Sequence, residues 1–142
     1  MTASAPDLAR HLHYLNCVPL FRELQPHTVE ALARASRWRS VERGDFLFFQ
    51  DDPANAAFVV CTGWIVIALN SPDGRELVIN EKRDGDLFGE NTVISGARRA
   101  TTAVARDRSA VLEIPRAAFL HALDTEPCLV CRLLELAAQT IV

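Results

Sequence analysis

The most informative stretch of the chain lies in its second half. Residues 84–90 read Asp-Gly-Asp-Leu-Phe-Gly-Glu, and residues 99–102 read Arg-Ala-Thr-Thr. Gly89 has no Cβ and lets a ligand approach the backbone closely, while the carboxylate of Glu90 can accept hydrogen bonds from a sugar hydroxyl. Arg99 offers a planar fork of donors that suits a phosphate. We therefore expect a site for a phosphorylated sugar here.

The residues between these two motifs favour a short helix at the same site. We expect residues 89–94 to form one helical turn whose free N–H groups point at the anion. Arg98 and Arg99 are adjacent and would point in different directions in a loop or strand. One of the two arginines is therefore predicted to face solvent.

Helical spacing of apolar residues marks both ends of the chain. Leu8, Leu12 and Leu15 share one face of a helix predicted over residues 7–16, and Pro26 suits the first turn of a second helix. The helical period returns over residues 115–123. Pro127 then opens a last helix that runs to the end of the sequence.

Between these ends, short segments rich in Val, Ile and Phe alternate with turn residues. Turn signals recur roughly every ten residues, a spacing typical of barrels and sandwiches. Residues 71–74, Ser-Pro-Asp-Gly, predict a turn because Pro presets φ at the second position and Gly fits the fourth. This turn should join residues 64–69 and 76–80 as a hairpin. Strand-like segments return at residues 101–105 and 110–114.

These patterns predict a mainly β protein, a jelly-roll-like double-stranded β-roll of about eight strands flanked by short helices. We expect a single domain over residues 1–142, with helices in 1–40, the β-roll in 41–114 and the C-terminal helices in 115–142. The phenylalanines Phe46, Phe48, Phe49 and Phe58 are predicted to be core residues.

The two motifs of the opening stretch resemble the phosphate-binding cassette of cyclic-nucleotide-binding domains. The likeness extends from about Leu20 to the C-terminus, and the bacterial catabolite-activator (Crp/Fnr) superfamily is the most similar. Other glycine-marked turns resemble those of the family's β-roll, namely residues 43–45, 61–64, 73–76 and 85–86. The resemblance implies a ligand sensor without catalytic activity.

The resemblance also implies a role for individual residues. Arg99 would pair with the cyclic phosphate, Gly89 and Ala100 would offer backbone N–H groups, and Glu90 would hold the ribose 2′-hydroxyl. Family members that favour guanine often carry Thr directly after the arginine. Because this chain has Ala100 there, the resemblance favours cAMP over cGMP as the ligand.

The predicted ligand-binding residues are Phe88, Gly89, Glu90, Asn91, Arg99, Ala100 and Thr101. The chain departs from the family at Asn91 and Thr92, where Leu or Ile and then a small residue are usual. Two alternatives therefore stay open on the same fold: a dimerisation module that binds no ligand, and a haem or redox sensor.

Composition and charge narrow the class of protein. The chain has 142 residues, 49% of them hydrophobic, and no apolar run approaches the roughly 18 residues of a membrane span. The N-terminus lacks the basic-then-apolar order of a secretory signal, so a cytoplasmic protein is expected. With a net charge of −3 and no basic run, the chain alone is a poor candidate for binding DNA.

Metal and catalytic sites are not predicted. Between Val41 and Ile114 there is no histidine, which excludes a cupin-type metal site and a Ser/His/Asp hydrolase in the strands. Cys128 and Cys131 form a single C-x-x-C pair, which we expect to pack structurally with Leu129 and other leucines of the last helix. The paired His11 and His13 should point apart on a helix. No cofactor is therefore expected.

The apolar end of the last helix suggests a longer regulator. Residues 136–142 have no charged residue, and such a surface is rarely left in water. We expect the chain to be the sensor half of a regulator whose helix-turn-helix lies beyond it, so that DNA is bound only through that missing domain. A homodimer is expected through one face of the helix, formed by Leu133, Leu136, Ala137 and Ile141.

Overall fold

The computed structural model describes residues 4–141, with side chains as far as Gln139. Five α-helices and eight strands are found in this range. The helices are α1 (Ala5–Asn16), α2 (Pro26–Ala35), α3 (Glu90–Ser95), α4 (Arg116–Thr125) and α5 (Pro127–Ile141), with a 3₁₀ turn at Pro19–Phe21. The strands are β1 (Arg37–Val41), β2 (Phe46–Phe48), β3 (Ala56–Thr62), β4 (Ile65–Asn70), β5 (Glu76–Lys82), β6 (Leu87–Phe88), β7 (Thr102–Ala105) and β8 (Ser109–Pro115).

The strands form two antiparallel four-stranded sheets, which confirms the predicted jelly-roll-like β-roll. The strand orders are β1-β8-β3-β6 in one sheet and β2-β7-β4-β5 in the other. The first strand begins at Arg37 rather than at the predicted residue 41. Its polar composition hides it in the sequence, because Arg37 and Arg39 pair with Glu113 on the neighbouring β8.

The predicted hairpin is present and its turn is formed as expected. The Gly74 N–H donates to the Ser71 carbonyl at 3.0 Å, closing the turn between β4 and β5. β5 lies at the edge of its sheet and is mostly exposed. β6, only two residues long, was not predicted as a separate strand, and it carries the chain into the cassette.

The hydrophobic core has two parts. One lies between the helices and the first sheet and includes Leu15, Phe21, Leu32, Leu112, Phe119 and Leu129. The other lies between the two sheets, where the rings of Phe48, Phe58 and Phe88 pack together. This second core ends directly below the cassette, so it fixes the position of the residues around Phe88.

The assignment of four phenylalanines to the core is half wrong. Phe48 and Phe58 are buried, but Phe46 is 38% and Phe49 is 52% exposed. In a regular strand, Phe46 and Phe48 would point to the same face. A register irregularity between them turns the strand, so Phe46 and Phe48 point in different directions. Phe46 and Phe49 instead stack on each other at 4.4 Å between ring centroids.

The His11 and His13 side chains lie as predicted, whereas the Cys128 and Cys131 pair does so only in part. His11 is buried and His13 exposed, so the pair points apart on α1. Cys128 packs against the core, whereas Cys131 is exposed and does not pack with it. Residues three positions apart on a helix differ in direction by about 60°. Of this pair, only Cys128 falls on the buried face. Among the described side chains, no group of three or more His, Cys, Asp or Glu could hold a metal ion.

The C-terminal helices are attached to α2 by a buried carboxylate. Glu126 precedes α5, and its Oε2 accepts hydrogen bonds from the Gln25 N–H at 3.1 Å and the Thr28 hydroxyl at 2.5 Å. Leu133, predicted to lie on a dimer face, packs against the core, while Leu134 is 65% exposed.

Within residues 4–141, no helix has the length and apolar content needed to span a membrane.

Candidate functional site

A cavity of about 340 Å³ opens beside β6 and α3, and we call it the cassette cavity. All seven residues of the predicted ligand-binding set line it. Its walls are formed by Phe48, Ile67, Ile79, Asn80, Lys82, Phe88, Gly89, Glu90, Asn91, Thr92, Arg99, Ala100 and Thr101. The volume lies within the range of small-molecule sites.

Gly89 makes the sharp turn that places α3 at the cavity. Its φ is +76°, a left-handed value that favours glycine. A Cβ built at this position would lie 2.9 Å from Arg99 Nη1 and 3.4 Å from the rings of Phe48 and Phe58. The helical turn predicted over residues 89–94 is observed as α3, one residue further along.

Arg99 is held inside the protein by backbone and side-chain acceptors. It is only 3% exposed, and its guanidinium lies 4.0 Å from the centroid of the Phe48 ring. Nη1 donates to the Gly89 carbonyl at 2.7 Å and to Thr92 Oγ1 at 3.0 Å, and Nη2 donates to the Ala56 carbonyl. Nε is buried without a hydrogen-bond partner among the described residues. Since a guanidinium has five N–H donors, two of those of Arg99 have no acceptor among the described residues.

Arg98 points away from the cavity, as one of the two adjacent arginines was predicted to do. It is exposed, and its Nη1 donates to the Asp51 carbonyl at 3.0 Å. The segment is fixed by reciprocal backbone bonds, from Asp51 N–H to the Arg99 carbonyl and from Arg99 N–H to the Asp52 carbonyl, each 2.8 Å long. This pairing directs Arg99 inward and Arg98 outward.

Glu90 lies at the start of α3 with its carboxylate turned inward. Its Oε2 is buried and has no hydrogen-bond partner in the described part of the chain. Burial raises the pKa of the Glu90 carboxyl, and a hydrogen bond from its own backbone N–H and the nearby charges of Lys82 and Arg99 partly offset that effect. Burial likewise lowers the pKa of Arg99, opposed by Asp52 and Glu90. The cavity therefore contains an unsatisfied acceptor close to a guanidinium with free donors.

The sequence profile of the cyclic nucleotide-binding domain matches residues 38–126, more than half of the chain. This range includes both sheets from Trp38 onward and the whole cassette. The chain belongs to the cyclic nucleotide-binding domain family. The resemblance noted in the sequence is thus confirmed.

Individual relatives come from different kinds of protein. A cyclic nucleotide-gated potassium channel of Mesorhizobium japonicum is 29% identical over 121 residues, covering 85% of this chain and 32% of the channel. A CRP-like cAMP-activated global transcriptional regulator of Mycobacterium tuberculosis is 22% identical over 122 residues, covering 86% of this chain and 54% of the regulator. The chain thus spans about a third of one relative and about half of the other.

The solved structures agree on the fold. The sensor domain of the transcriptional regulator DNR from Pseudomonas aeruginosa superposes with a TM-score of 0.85 at 23% identity, covering 94% of this chain and 90% of that one. At this level of identity the likeness shows the shared fold. The domains of this family are ligand-binding regulatory domains.

Several cavity residues of this cyclic nucleotide-binding domain were not predicted from the sequence. They are Phe48, Ile67, Ile79, Asn80, Lys82 and Thr92. Most come from β2, β4 and β5, which form the second sheet together with β7, the strand that follows the cassette. Lys82 is the single lysine among 15 basic residues, and it lines the cavity from the end of β5.

A second cavity of about 460 Å³ adjoins the cassette cavity and separates it from α5. The two cavities share Lys82, Glu90 and Asn91. On the far side, the second cavity is lined by Leu133, Leu136 and other residues of α5. Residues of α3 and of α5 therefore line one and the same cavity.

Proposed function

We propose that this domain senses a cyclic nucleotide on behalf of a Crp/Fnr-type transcription regulator. In this proposal, Arg99 binds the cyclic phosphate and Glu90 accepts a hydrogen bond from the ribose 2′-hydroxyl. Gly89 and Ala100 contribute backbone N–H groups. The DNA-binding part belongs to a region outside this domain.

The observation that carries the proposal is the pairing of opposite, unsatisfied groups in one cavity. The Arg99 guanidinium keeps free donors for an anion, and the Glu90 Oε2 is a buried acceptor without a donor. A cyclic nucleotide supplies both complements, since its phosphate accepts and its 2′-hydroxyl donates. A haem group would need a His or Cys ligand for its iron, and neither residue type is found among the described residues that line the cassette cavity.

The proposed ligand is cAMP in preference to cGMP. The residue after Arg99 is Ala100, which has no hydroxyl to donate to a guanine base. The purine would lie against the apolar side chains of Ile67 and Ile79 and near the amide of Asn80, which line the same cavity. The CRP-like relative, which is named as cAMP-activated, supports this choice.

Binding can act as a signal only if the ligand prefers one conformation of the domain. We infer that the phosphate draws α3 toward Arg99 and that α5 responds across the second cavity, to which Asn91 and Leu136 both contribute. In a homodimer formed through α5, this movement would change the relation of the two subunits.

The test is calorimetric titration of the domain with cAMP and cGMP. Breaking a buried arginine–phosphate pair on one side costs about 2–5 kcal/mol, so Arg99→Ala should weaken cAMP binding roughly 30-fold or more. Arg98→Ala is the matched control, because Arg98 is exposed and faces away from the cavity. Circular dichroism verifies that each variant folds. Absence of heat and of a thermal shift with the wild type at millimolar cAMP and cGMP would refute the proposal.

The likeness to the potassium channel supports a second candidate, a ligand-binding domain that regulates a channel. The two candidates make the same prediction for the cassette cavity but differ in the natural protein that carries the domain. A gel shift with that full-length protein distinguishes them. Binding of duplex DNA that depends on cAMP supports the transcription regulator, and a cAMP-dependent ion flux supports the channel.

A further inference from the structure

Thr92 occupies a position in the cassette that the sequence alone marked only as a departure from the family. It lies in the first turns of α3, is half-buried, and lines the cassette cavity together with Arg99 and Glu90. Its neighbour Val93 is completely buried in the core. The helix is thus held by Val93, and the Thr92 side chain has a defined direction.

The hydroxyl of Thr92 has one role in the structure and capacity for another. Its oxygen accepts a hydrogen bond from Arg99 Nη1 at 3.0 Å. A hydroxyl also has one O–H donor, and no acceptor for that donor is found among the described residues. A hydroxyl that accepts from a guanidinium is polarised by its charge, which makes its own proton a better donor.

We propose that Thr92 is a direct ligand of the nucleotide phosphate, with its O–H donating to one exocyclic oxygen while its oxygen accepts from Arg99. The inference rests on the proposed function. The phosphate then receives donors from a charged fork and from a neutral hydroxyl that are already hydrogen-bonded to each other. This arrangement distinguishes the two exocyclic oxygens, because only one of them can face Thr92.

The experiment measures the dissociation constant of cAMP for Thr92→Val and Thr92→Ser. Valine keeps the shape of threonine and removes the hydroxyl, whereas serine keeps the hydroxyl. A hydrogen bond to a charged group is lost in the first variant, so binding should weaken about 10-fold or more. Thr92→Ser should stay within about threefold of the wild type. Equal affinity of Thr92→Val and the wild type overturns the proposal.

A second measurement separates a ligand from a residue that merely positions Arg99. The two diastereomers of adenosine 3′,5′-cyclic phosphorothioate each replace one exocyclic oxygen with sulfur, a weaker acceptor. In the wild type, one diastereomer should lose more affinity than the other, and Thr92→Val should abolish that excess loss. If the ratio of the two affinities is the same in both proteins, Thr92 acts only through Arg99 and the proposal is wrong.

The cAMP affinities of the wild-type protein and of Thr92→Val separate the proposed function from the role of Thr92. If wild-type protein binds no cyclic nucleotide at millimolar concentration, the proposed function is wrong. If wild-type protein binds cAMP, and Thr92→Val binds it equally well with an unfolding temperature like that of the wild type, only the role of Thr92 is wrong.

Discussion

At the scale of the residue, the cassette depends on the close approach of Gly89 to Arg99. The Gly89 carbonyl accepts from Arg99 Nη1, and the missing Cβ leaves room for the same nitrogen. A buried guanidinium is costly to desolvate unless its donors are satisfied. Gly89 therefore supports the position of Arg99 as well as the turn into α3.

We predict that Gly89→Ala is more harmful than an alanine at another left-handed glycine. Gly74 has a φ of +85° with open space around it, so Gly74→Ala should cost only backbone strain, about 1–2 kcal/mol of unfolding free energy. Gly89→Ala adds a contact of 2.9 Å with Arg99 Nη1, which should cost about 1–3 kcal/mol more. Urea unfolding measures both values.

The same pair of variants tests the link to the ligand. Gly89→Ala should also weaken cAMP binding, because Arg99 must move, and Gly74→Ala should not. Equal losses of stability with unchanged affinities in both variants would contradict the role of Gly89.

Glu90 should make the stability of the domain depend on pH. Its pKa is raised by burial, so the folded state keeps a proton that the unfolded state has lost. Stability from this group is therefore present at low pH and falls as the pH rises from the ordinary carboxyl value, about 4.3, through the raised value. Glu90→Gln removes this dependence.

We predict that the difference in unfolding temperature between Glu90→Gln and the wild type shifts in favour of the variant as the pH rises from about 4 to 7. Binding of cAMP to the wild type should strengthen as the pH rises over the same range, since an ionised carboxylate is the better acceptor for the ribose hydroxyl. Thermal unfolding with and without cAMP measures both trends. A difference between variant and wild type that is constant over this range would show that Glu90 does not titrate as inferred.

At the scale of the element, the attachment of α5 depends on one buried carboxylate. Glu126 accepts from the Gln25 N–H and the Thr28 hydroxyl across about a hundred residues of sequence. Acidic groups near a helix N-terminus are favoured by the helix dipole, so Glu126 fixes the start of α2 and the junction of α4 and α5 together.

Glu126→Ala should lower the unfolding free energy by about 1–3 kcal/mol, because it leaves the buried Thr28 hydroxyl and the partly buried Gln25 N–H without an acceptor. Glu135→Ala is the matched control on the exposed face of α5, where a surface substitution should change stability by less than about 0.5 kcal/mol. Chemical denaturation compares the two variants. Similar values for both would mean that Glu126 does not hold the helices together.

The elements that the sequence predicted well are those with a local signal. The helices near Leu8 and Val29 show clear apolar spacing, and the turn around Asp73 has a specific residue pattern. β1 was placed too late because it is defined by its pairing with β8, where Arg37 and Arg39 lie near Glu113, which is far away in sequence. The sequence around β1 contains no sign of a partner so far along the chain.

The residues of the cassette cavity also divide into those with a local signal in the sequence and those without one. Gly89, Glu90 and Arg99 were predicted because their chemistry is dense in one stretch of sequence. The apolar wall from Ile67 and Ile79 was missed, since strand pairing alone brings it to the cavity. The exposure of Phe46 was missed because it depends on an irregularity in strand register that composition does not reveal.

At the scale of the whole molecule, the exposed apolar residues of α5 predict self-association. Leu134 is 65% exposed, and Val130 lies one turn before it at 38% exposure. Residues four apart share a helix face, so these side chains and Ala137 form an apolar stripe. Of the predicted dimer-face residues, Leu133 packs against the core, Leu136 is 48% exposed, and the side chain of Ile141 lies outside the described residues. We therefore expect the interface to include Leu134 rather than Leu133.

We predict a dimer in sedimentation experiments at micromolar concentration and a monomer for Leu134→Glu. Leu77→Glu is the matched control, because Leu77 on β5 is similarly exposed at 63% but lies on a different surface. A monomeric wild-type protein would contradict the prediction. A monomer for Leu77→Glu and a dimer for Leu134→Glu would place the interface on β5 instead of α5.

The central claim, that Arg99 receives the cyclic phosphate, has a direct spectroscopic test. Arg99 Nε and Arg10 Nε are both buried without partners in the described part of the chain, but Arg10 lies on α1 against Trp38 and not at the cavity. In ¹H–¹⁵N correlation spectra of the arginine side chains, Arg99→Lys and Arg10→Lys assign the two Nε–H signals. Titration with cAMP should shift the Arg99 signal until saturation and leave the Arg10 signal in place. An Arg99 signal that does not move while calorimetry shows bound cAMP would contradict the account.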